Sequence, residues 1–63
     1  MNWKRITEKE FYTELTKLAA EHGERNIKPS PRGNNTYYSV GGKAMLKIFN
    51  LKGIDTYFTR EEE

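Results

Sequence analysis

The spacing of the apolar residues changes once along this sequence, and that change limits the folds open to the chain. Phe11, Leu15 and Leu18 recur at the spacing of one helix face. From Thr36 onward the pattern alternates with a period of two, in β-branched and aromatic runs separated by glycines. We therefore expect an α+β domain in which one N-terminal amphipathic helix packs on a three-stranded antiparallel β-meander, in the order α-β-β-β.

The predicted helix has a clear start and a clear end. Thr7 and Glu10 have the spacing of a capping box, in which the side chain of each residue satisfies a backbone amide of the other. Gly23 follows the last periodic residue and suits the left-handed conformation that ends many helices. These signals predict a helix over residues 7–22.

The segment after the helix, residues 23–35, is predicted to be a connector. Pro29 and Pro31 lack a backbone N–H and discourage a sheet strand, and Gly33 begins a run of turn-forming residues. The three predicted strands are residues 36–40, 44–50 and 54–60. Residues 1–60 then form a single domain, and residues 61–63, all glutamate, form an acidic tail that we expect to be disordered.

The faces of these strands depend on the register at two glycine turns. A three-residue, bulged connection at the first turn pairs Val40 with Ala44 and gathers apolar residues on one face. The same argument at the second turn pairs Asn50 with Ile54. The predicted core consists of Ile6, Phe11, Leu15, Leu18, Tyr38, Val40, Ala44, Leu46, Ile48, Ile54 and Phe58.

The opposite face is then unusually rich in aromatic residues for a surface exposed to water. Such a patch, bordered by charge, is typical of an interaction surface, although the same residues also stabilise a small sheet that has no partner. The predicted partner-binding residues are Tyr37, Met45, Lys47, Phe49 and Tyr57. A second, basic group forms an alternative anion-binding site, consisting of Arg25, Lys28, Arg32 and Lys43.

The charges are distributed unevenly, although the net charge of the chain is only +2. Residues 25–60 contain seven basic residues and one acidic residue, Asp55, so this segment has a net charge of +6. A basic surface attracts nucleic acid or an acidic protein surface. The alternative is a solvated surface that only keeps the chain soluble.

The chain is too short and chemically too plain for us to expect an enzyme. Its 63 residues include no cysteine and one histidine, His22, so we expect no disulfide, no metal site and no cofactor. No serine or threonine has an evident base partner. No apolar run approaches the roughly 20 residues of a membrane span, and no signal peptide is evident, so we expect a cytoplasmic protein without a membrane partner.

These features predict a small non-enzymatic binding protein that acts stoichiometrically on a macromolecular protein partner, as an inhibitor or adaptor of the kind that mobile genetic elements encode. Two alternatives stay open. One is a nucleic-acid-binding protein that uses the basic, aromatic-bearing sheet half, and the other is a homodimeric structural module. The sequence does not decide between the sheet face and the 24–35 connector as the contact surface.

Overall fold

The computed structural model describes residues 2–61 of the chain, which form one helix, a short 3₁₀ turn and a single antiparallel sheet of five strands. The elements in chain order are β1 (Asn2–Ile6), α1 (Glu8–His22), the 3₁₀ turn (Glu24–Asn26), β2 (Ile27–Arg32), β3 (Asn35–Val40), β4 (Lys43–Leu51) and β5 (Ile54–Glu61). The strand order across the sheet is β1-β5-β4-β3-β2. The α+β class is as predicted, but the three-stranded α-β-β-β meander is wrong.

The first unpredicted strand is β1, which forms one edge of the sheet. It pairs with β5, so that Asn2 lies opposite Glu61 and Ile6 lies opposite Tyr57. The strand has only five residues, and Lys4 and Arg5 are adjacent cations, so the sequence does not show the alternation of apolar and polar residues that is typical of a strand. The strand forms because β5, more than 50 residues further along the chain, supplies its hydrogen-bonding partner.

The second unpredicted strand is β2, which forms the other edge and replaces most of the predicted connector. Pro29 lies opposite Tyr38, and Pro31 lies opposite Thr36. Successive residues of an antiparallel strand turn their N–H groups to opposite sides, so prolines two residues apart remove donors from one side only. The prolines are tolerated because β2 has a single neighbour, and they also make its outer edge a poor template for another strand.

The helix prediction is confirmed. Helix α1 begins after the N-cap Thr7, where the Glu10 N–H donates to Thr7 Oγ1 (3.1 Å) and the Thr7 N–H donates to Glu10 Oε1 (2.9 Å). It ends at Gly23, whose φ of 89° favours glycine, but whose ψ of 134° differs from the left-handed helical conformation that the sequence predicts there. Because β1 and β2 are opposite edges, the helix that joins them crosses one face of the sheet and leaves the other uncovered by any element within residues 2–61.

The first hairpin has the predicted register between β3 and β4 beyond its bulge, but the bulge lies within β4 and not at the turn. Gly41 and Gly42 both have positive φ and form a two-residue turn that pairs Val40 with Lys43, so the predicted pairing of Val40 with Ala44 is wrong. The register then shifts between Tyr38 and Ser39, because β4 contains one extra residue, and Tyr38 lies opposite Leu46 as the bulged connection required.

The second hairpin has a different register from the predicted one. Leu51 pairs with Ile54 across a two-residue turn in which Lys52 (φ 53°) and Gly53 (φ 80°) both have positive φ, as a type I′ turn requires. The prediction paired Asn50 with Ile54, one residue away. A shift of one residue in the register moves every side chain of a strand to the opposite face of the sheet. Phe58 was predicted to face the helix, but in the structure Tyr57 faces the helix and Phe58 faces the other way.

The core is small and centres on two fully buried side chains, Phe11 and Leu46. The ring of Phe11 meets Tyr57 at a centroid distance of 5.0 Å and Tyr38 at 5.7 Å, so one helix residue joins β5 to β3. Three residues that were predicted to lie in the core do not lie there. Ile54 is 70% exposed, while Ala44 and Phe58 belong to the face that the helix does not cover.

Candidate functional site: the open face of the sheet

The face that α1 leaves uncovered, called the open face below, carries a continuous row of side chains across all five strands. Residues directly opposite each other in a sheet share a face. The row consists of Arg5, Phe58, Lys47, Tyr37 and Ser30, on β1, β5, β4, β3 and β2. Neighbouring rows add Trp3 opposite Arg60, and Phe49 between Asn35 and Thr56. Four aromatic rings therefore share the open face: Trp3, Tyr37, Phe49 and Phe58.

The rings at the middle of the open face surround a cation. Lys47 Nζ lies 4.5 Å from the centroid of Phe58 and 5.0 Å from the centroid of Trp3. Trp3 in turn lies 6.0 Å from Tyr37, with the two ring planes inclined at 50°. These side chains are half-buried although no second layer covers them, because they pack against one another. Cation–π contacts at such partly exposed positions contribute about 0.5–1 kcal/mol each.

The charge of the open face has a single sign. The sheet register places five cations on it: Arg5, Lys28, Arg32, Lys47 and Arg60. None of the acidic residues within positions 2–61 has an open-face position, because five belong to α1 and the 3₁₀ turn, and Asp55 and Glu61 alternate to the helix side of β5. The net charge of +2 therefore conceals a face that is wholly basic.

The open face contains a basin of about 600 Å³ beside the Trp3–Tyr37 pair. Three cations, Arg32, Lys43 and Arg60, line it together with the hydroxyl-bearing residues Ser30 and Ser39. The guanidinium of Arg60 is held in place because its Nη1 donates a hydrogen bond of 3.1 Å to the carbonyl of Ala44, in a partly buried setting. The basin thus combines aromatic walls, fixed positive charge and hydroxyl groups.

The structure brings most of the predicted site residues together on this face. Tyr37, Lys47 and Phe49 lie on it as expected, and Lys28, Arg32 and Lys43, predicted as a separate anion site, border the same surface. Two predicted sites therefore become one. Arg25 lies apart in the 3₁₀ turn, and Met45 is the extra, half-buried residue of the β4 bulge.

Tyr57, a predicted partner-binding residue, lies on the opposite side of the sheet from the open face. It lies on the helix side of β5, packs against Phe11, and its hydroxyl donates to Glu8 Oε2 at 3.4 Å. Burial, and then the nearby Glu8 carboxylate, raises the pKa of the Tyr57 hydroxyl above its usual value. Its position follows from the corrected register of β5.

Sequence reasoning missed four of the aromatic and basic residues of the open face: Trp3, Arg5, Phe58 and Arg60. Trp3 and Arg5 were missed because the sequence of β1 does not alternate as a strand normally does. Phe58 and Arg60 were missed because the second turn was predicted to be one residue longer than it is. The pair Lys52-Gly53 was the available signal, since glycine at the second position of a two-residue turn supports type I′ geometry.

No family model, curated protein or solved structure matches this chain. Within residues 2–61, the helix is too short and too polar to cross a membrane, and no three His, Cys, Asp or Glu side chains are grouped to hold a metal ion. The open face is therefore the feature of this molecule from which a function can be inferred.

Proposed function

We propose that this protein binds single-stranded nucleic acid on its open face. The observation that carries the proposal is the combination of four aromatic rings with a uniformly basic charge on one uncovered sheet surface. Single strands are bound in this way by many proteins, because bases stack on aromatic rings while cations follow the phosphates. Sheets that display aromatic residues are one of the recurrent platforms for such strands.

The charge favours a nucleic acid over a protein as the partner. The buried centre of a protein interface is depleted in charged residues, lysine among them, whereas the centre of the open face is Lys47 between two rings. Packing two copies face to face would bring ten or more cations together without a compensating acid, which opposes the homodimer alternative. The protein-partner hypothesis would require an unusually acidic surface.

The aromatic rings favour a single strand over a duplex. In a duplex the faces of the bases are stacked on each other, so rings such as Tyr37 and Phe49 have no base face to meet. Phosphate contacts alone would bind both forms. We therefore expect both forms to respond to salt, and only the single strand to depend on the rings.

The proposal is tested by the fluorescence anisotropy of a labelled oligothymidylate of about 12 nucleotides, within the range of site sizes known for small domains. Tyr37→Ala should weaken binding by about 5- to 150-fold, the equivalent of about 1–3 kcal/mol for one stacked base. Tyr12→Ala is the matched control, because Tyr12 is 50% exposed but lies on the helix. It should bind the oligonucleotide as the unmodified protein does.

Circular dichroism and urea unfolding of both variants show whether each is folded under the binding conditions. Equal affinities for the two folded variants would refute the role of the open-face rings. Failure of the unmodified protein to bind any single-stranded DNA or RNA would refute the proposed function as a whole.

A further inference from the structure

The basin on the open face has a composition that suits one nucleotide. Its volume of about 600 Å³ lies within the range of small-ligand sites, which is about 300–1,000 Å³. Its walls include the rings of Trp3 and Tyr37, and its charged residues are all cations. A base, a sugar and a phosphate require an aromatic surface, polar contacts and positive charge, respectively.

The cations lie on opposite sides of the basin. Arg60 is on β5 and Arg32 is on β2, with two strands between them, so they are about 14 Å apart across the sheet at ordinary strand spacing. The register also places Arg32 level with Thr56, four residues along β5 from Arg60, so the two backbones are about 20 Å apart on the diagonal. Both side chains are long and line the space between those strands. A nucleotide within a strand has a phosphate on each side, so two arginines facing each other across the basin match one nucleotide and its two flanking phosphates.

The side chain of Arg60 is already ordered for such a contact in the free protein. The hydrogen bond from Nη1 to the carbonyl of Ala44 fixes the guanidinium and uses one of its five N–H donors. A side chain that is already ordered loses less conformational entropy on binding. The remaining donors suit the oxygens of a phosphate, which arginine binds through two parallel hydrogen bonds.

Trp3 and Tyr37, which form the aromatic wall, are each partly exposed in the free protein. The planes of Trp3 and Tyr37 are inclined at 50° with centroids 6.0 Å apart, so the rings do not stack face to face. Lys47, the cation above the Trp3 ring, does not line the basin. Ser30 and Ser39 supply hydroxyls that both donate and accept hydrogen bonds, so the basin can accept any of the common bases.

We infer that the basin is a nucleotide subsite of the bound strand, in which a base stacks on the Trp3–Tyr37 wall and its flanking phosphates contact Arg32 and Arg60. This inference rests on the proposed binding of single strands. It adds where the strand is anchored and which two cations hold it there. We also expect this subsite to discriminate little between bases.

The first experiment compares two arginines of the same segment. Arg32→Gln should lower the affinity for the labelled oligothymidylate about fivefold at about 0.1 M salt, the contribution of one phosphate contact to a single strand. Arg25→Gln is the matched control, because Arg25 is exposed and lies outside the basin. It should leave the affinity close to that of the unmodified protein.

The second experiment uses Trp3, which is the only tryptophan of the chain, as the reporter. Adenosine 5′-monophosphate should change Trp3 fluorescence in a saturable way. Inorganic phosphate, which has no base, should not. The response should be lost in the double variant Arg32→Gln, Arg60→Gln, with urea unfolding used to confirm that this variant is folded.

The outcomes separate the subsite from the general function. If the oligonucleotide binds but Arg32→Gln and Arg25→Gln have the same affinity, the subsite is wrong and strand binding stands. A fluorescence response that survives in the folded double variant also overturns it. If the unmodified protein does not bind the oligonucleotide at all, both the subsite and the proposed function are wrong.

Discussion

The proposed binding of a single strand should depend on salt to an extent that is set by the number of cations on the open face. Six cations lie on this face or border it: the sheet register places five there, and Lys43 lines the basin. Each phosphate that is neutralised on a single strand contributes about −0.7 to the slope of log affinity against log salt concentration. With all six engaged the slope is about −4, so raising salt from about 50 to about 200 mM should weaken binding roughly 300-fold.

The assay is a series of anisotropy titrations of the oligothymidylate at several salt concentrations, with two charge-removing variants. Arg5→Gln removes one open-face cation at an exposed position opposite Phe58 and should make the slope shallower by about 0.7. Lys9→Gln removes one cation from the exposed surface of α1 and has the same effect on net charge. Its slope should equal that of the unmodified protein.

The comparison of these variants tests the location of the binding surface as well as the charge. If net charge alone attracts the strand, Arg5→Gln and Lys9→Gln will change the slope equally. That result, or a slope shallower than about −1 for the unmodified protein, would refute the reasoning, because it would mean that fewer than two phosphates meet the open face.

The remaining predictions concern stability and are measured by urea unfolding. Thr7→Ala removes the helix cap and should lower the free energy of unfolding by about 1 kcal/mol; an unchanged midpoint would contradict the cap. Hydrogen bonds from the Thr7 backbone N–H, and then from its side chain, lower the pKa of Glu10. The ionised carboxylate therefore stabilises the fold at pH values above its usual pKa of 4.5, and this contribution to stability is lost as the pH falls through the lowered pKa. Glu10→Gln should therefore lose part of the acid sensitivity, and identical pH profiles would argue against it. Lys52→Asn should raise stability by up to about 1 kcal/mol, because asparagine tolerates the positive φ of the type I′ turn better than lysine does. Phe11→Ala should leave the chain unfolded at neutral pH, because the loss of about 3–5 kcal/mol equals the whole stability of a domain this size; a folded variant would show that the core does not centre on Phe11.

The helix was predictable because its signals are local. The capping box of Thr7 and Glu10 and the terminal Gly23 depend on neighbours within a few residues, and the structure shows each of them in place. The face of β4 was also predictable, because only one of the two offsets considered places Leu46 and Ile48 on the same face as Tyr38, and the structure has this arrangement. Local chemistry and a one-sided apolar pattern determine these features.

The two edge strands were not predictable from local patterns. Strand β2 contains Pro29 and Pro31, which argue against a strand unless it is known to lie at an edge, and that knowledge comes only from the complete sheet. Strand β1 depends on a partner at the far end of the chain. In both cases tertiary pairing overrides the local preference.

The candidate site was predicted in part. Tyr37, Lys47 and Phe49 were placed on the correct face because the register of β3 and β4 was right near them. The face of β5 was reversed by a single residue at the Lys52-Gly53 turn, which exchanged Phe58 for Tyr57. The apolar pattern could not detect the error, since both residues are aromatic and either fits a half-buried strand.

The pairing of β1 with β5 has a consequence for when the open face is completed. During synthesis β1 leaves the ribosome before the other strands of this sheet, and β5, the strand that it pairs with in the described residues 2–61, leaves after them. Trp3 and Arg5 therefore join the other open-face residues only when the sheet closes, and a nascent chain cannot present the complete surface. Because Asn2 and Glu61 are neighbours, a circular permutant that links the two ends and opens the Lys52-Gly53 turn would preserve every strand pair while changing the order in which the surface assembles.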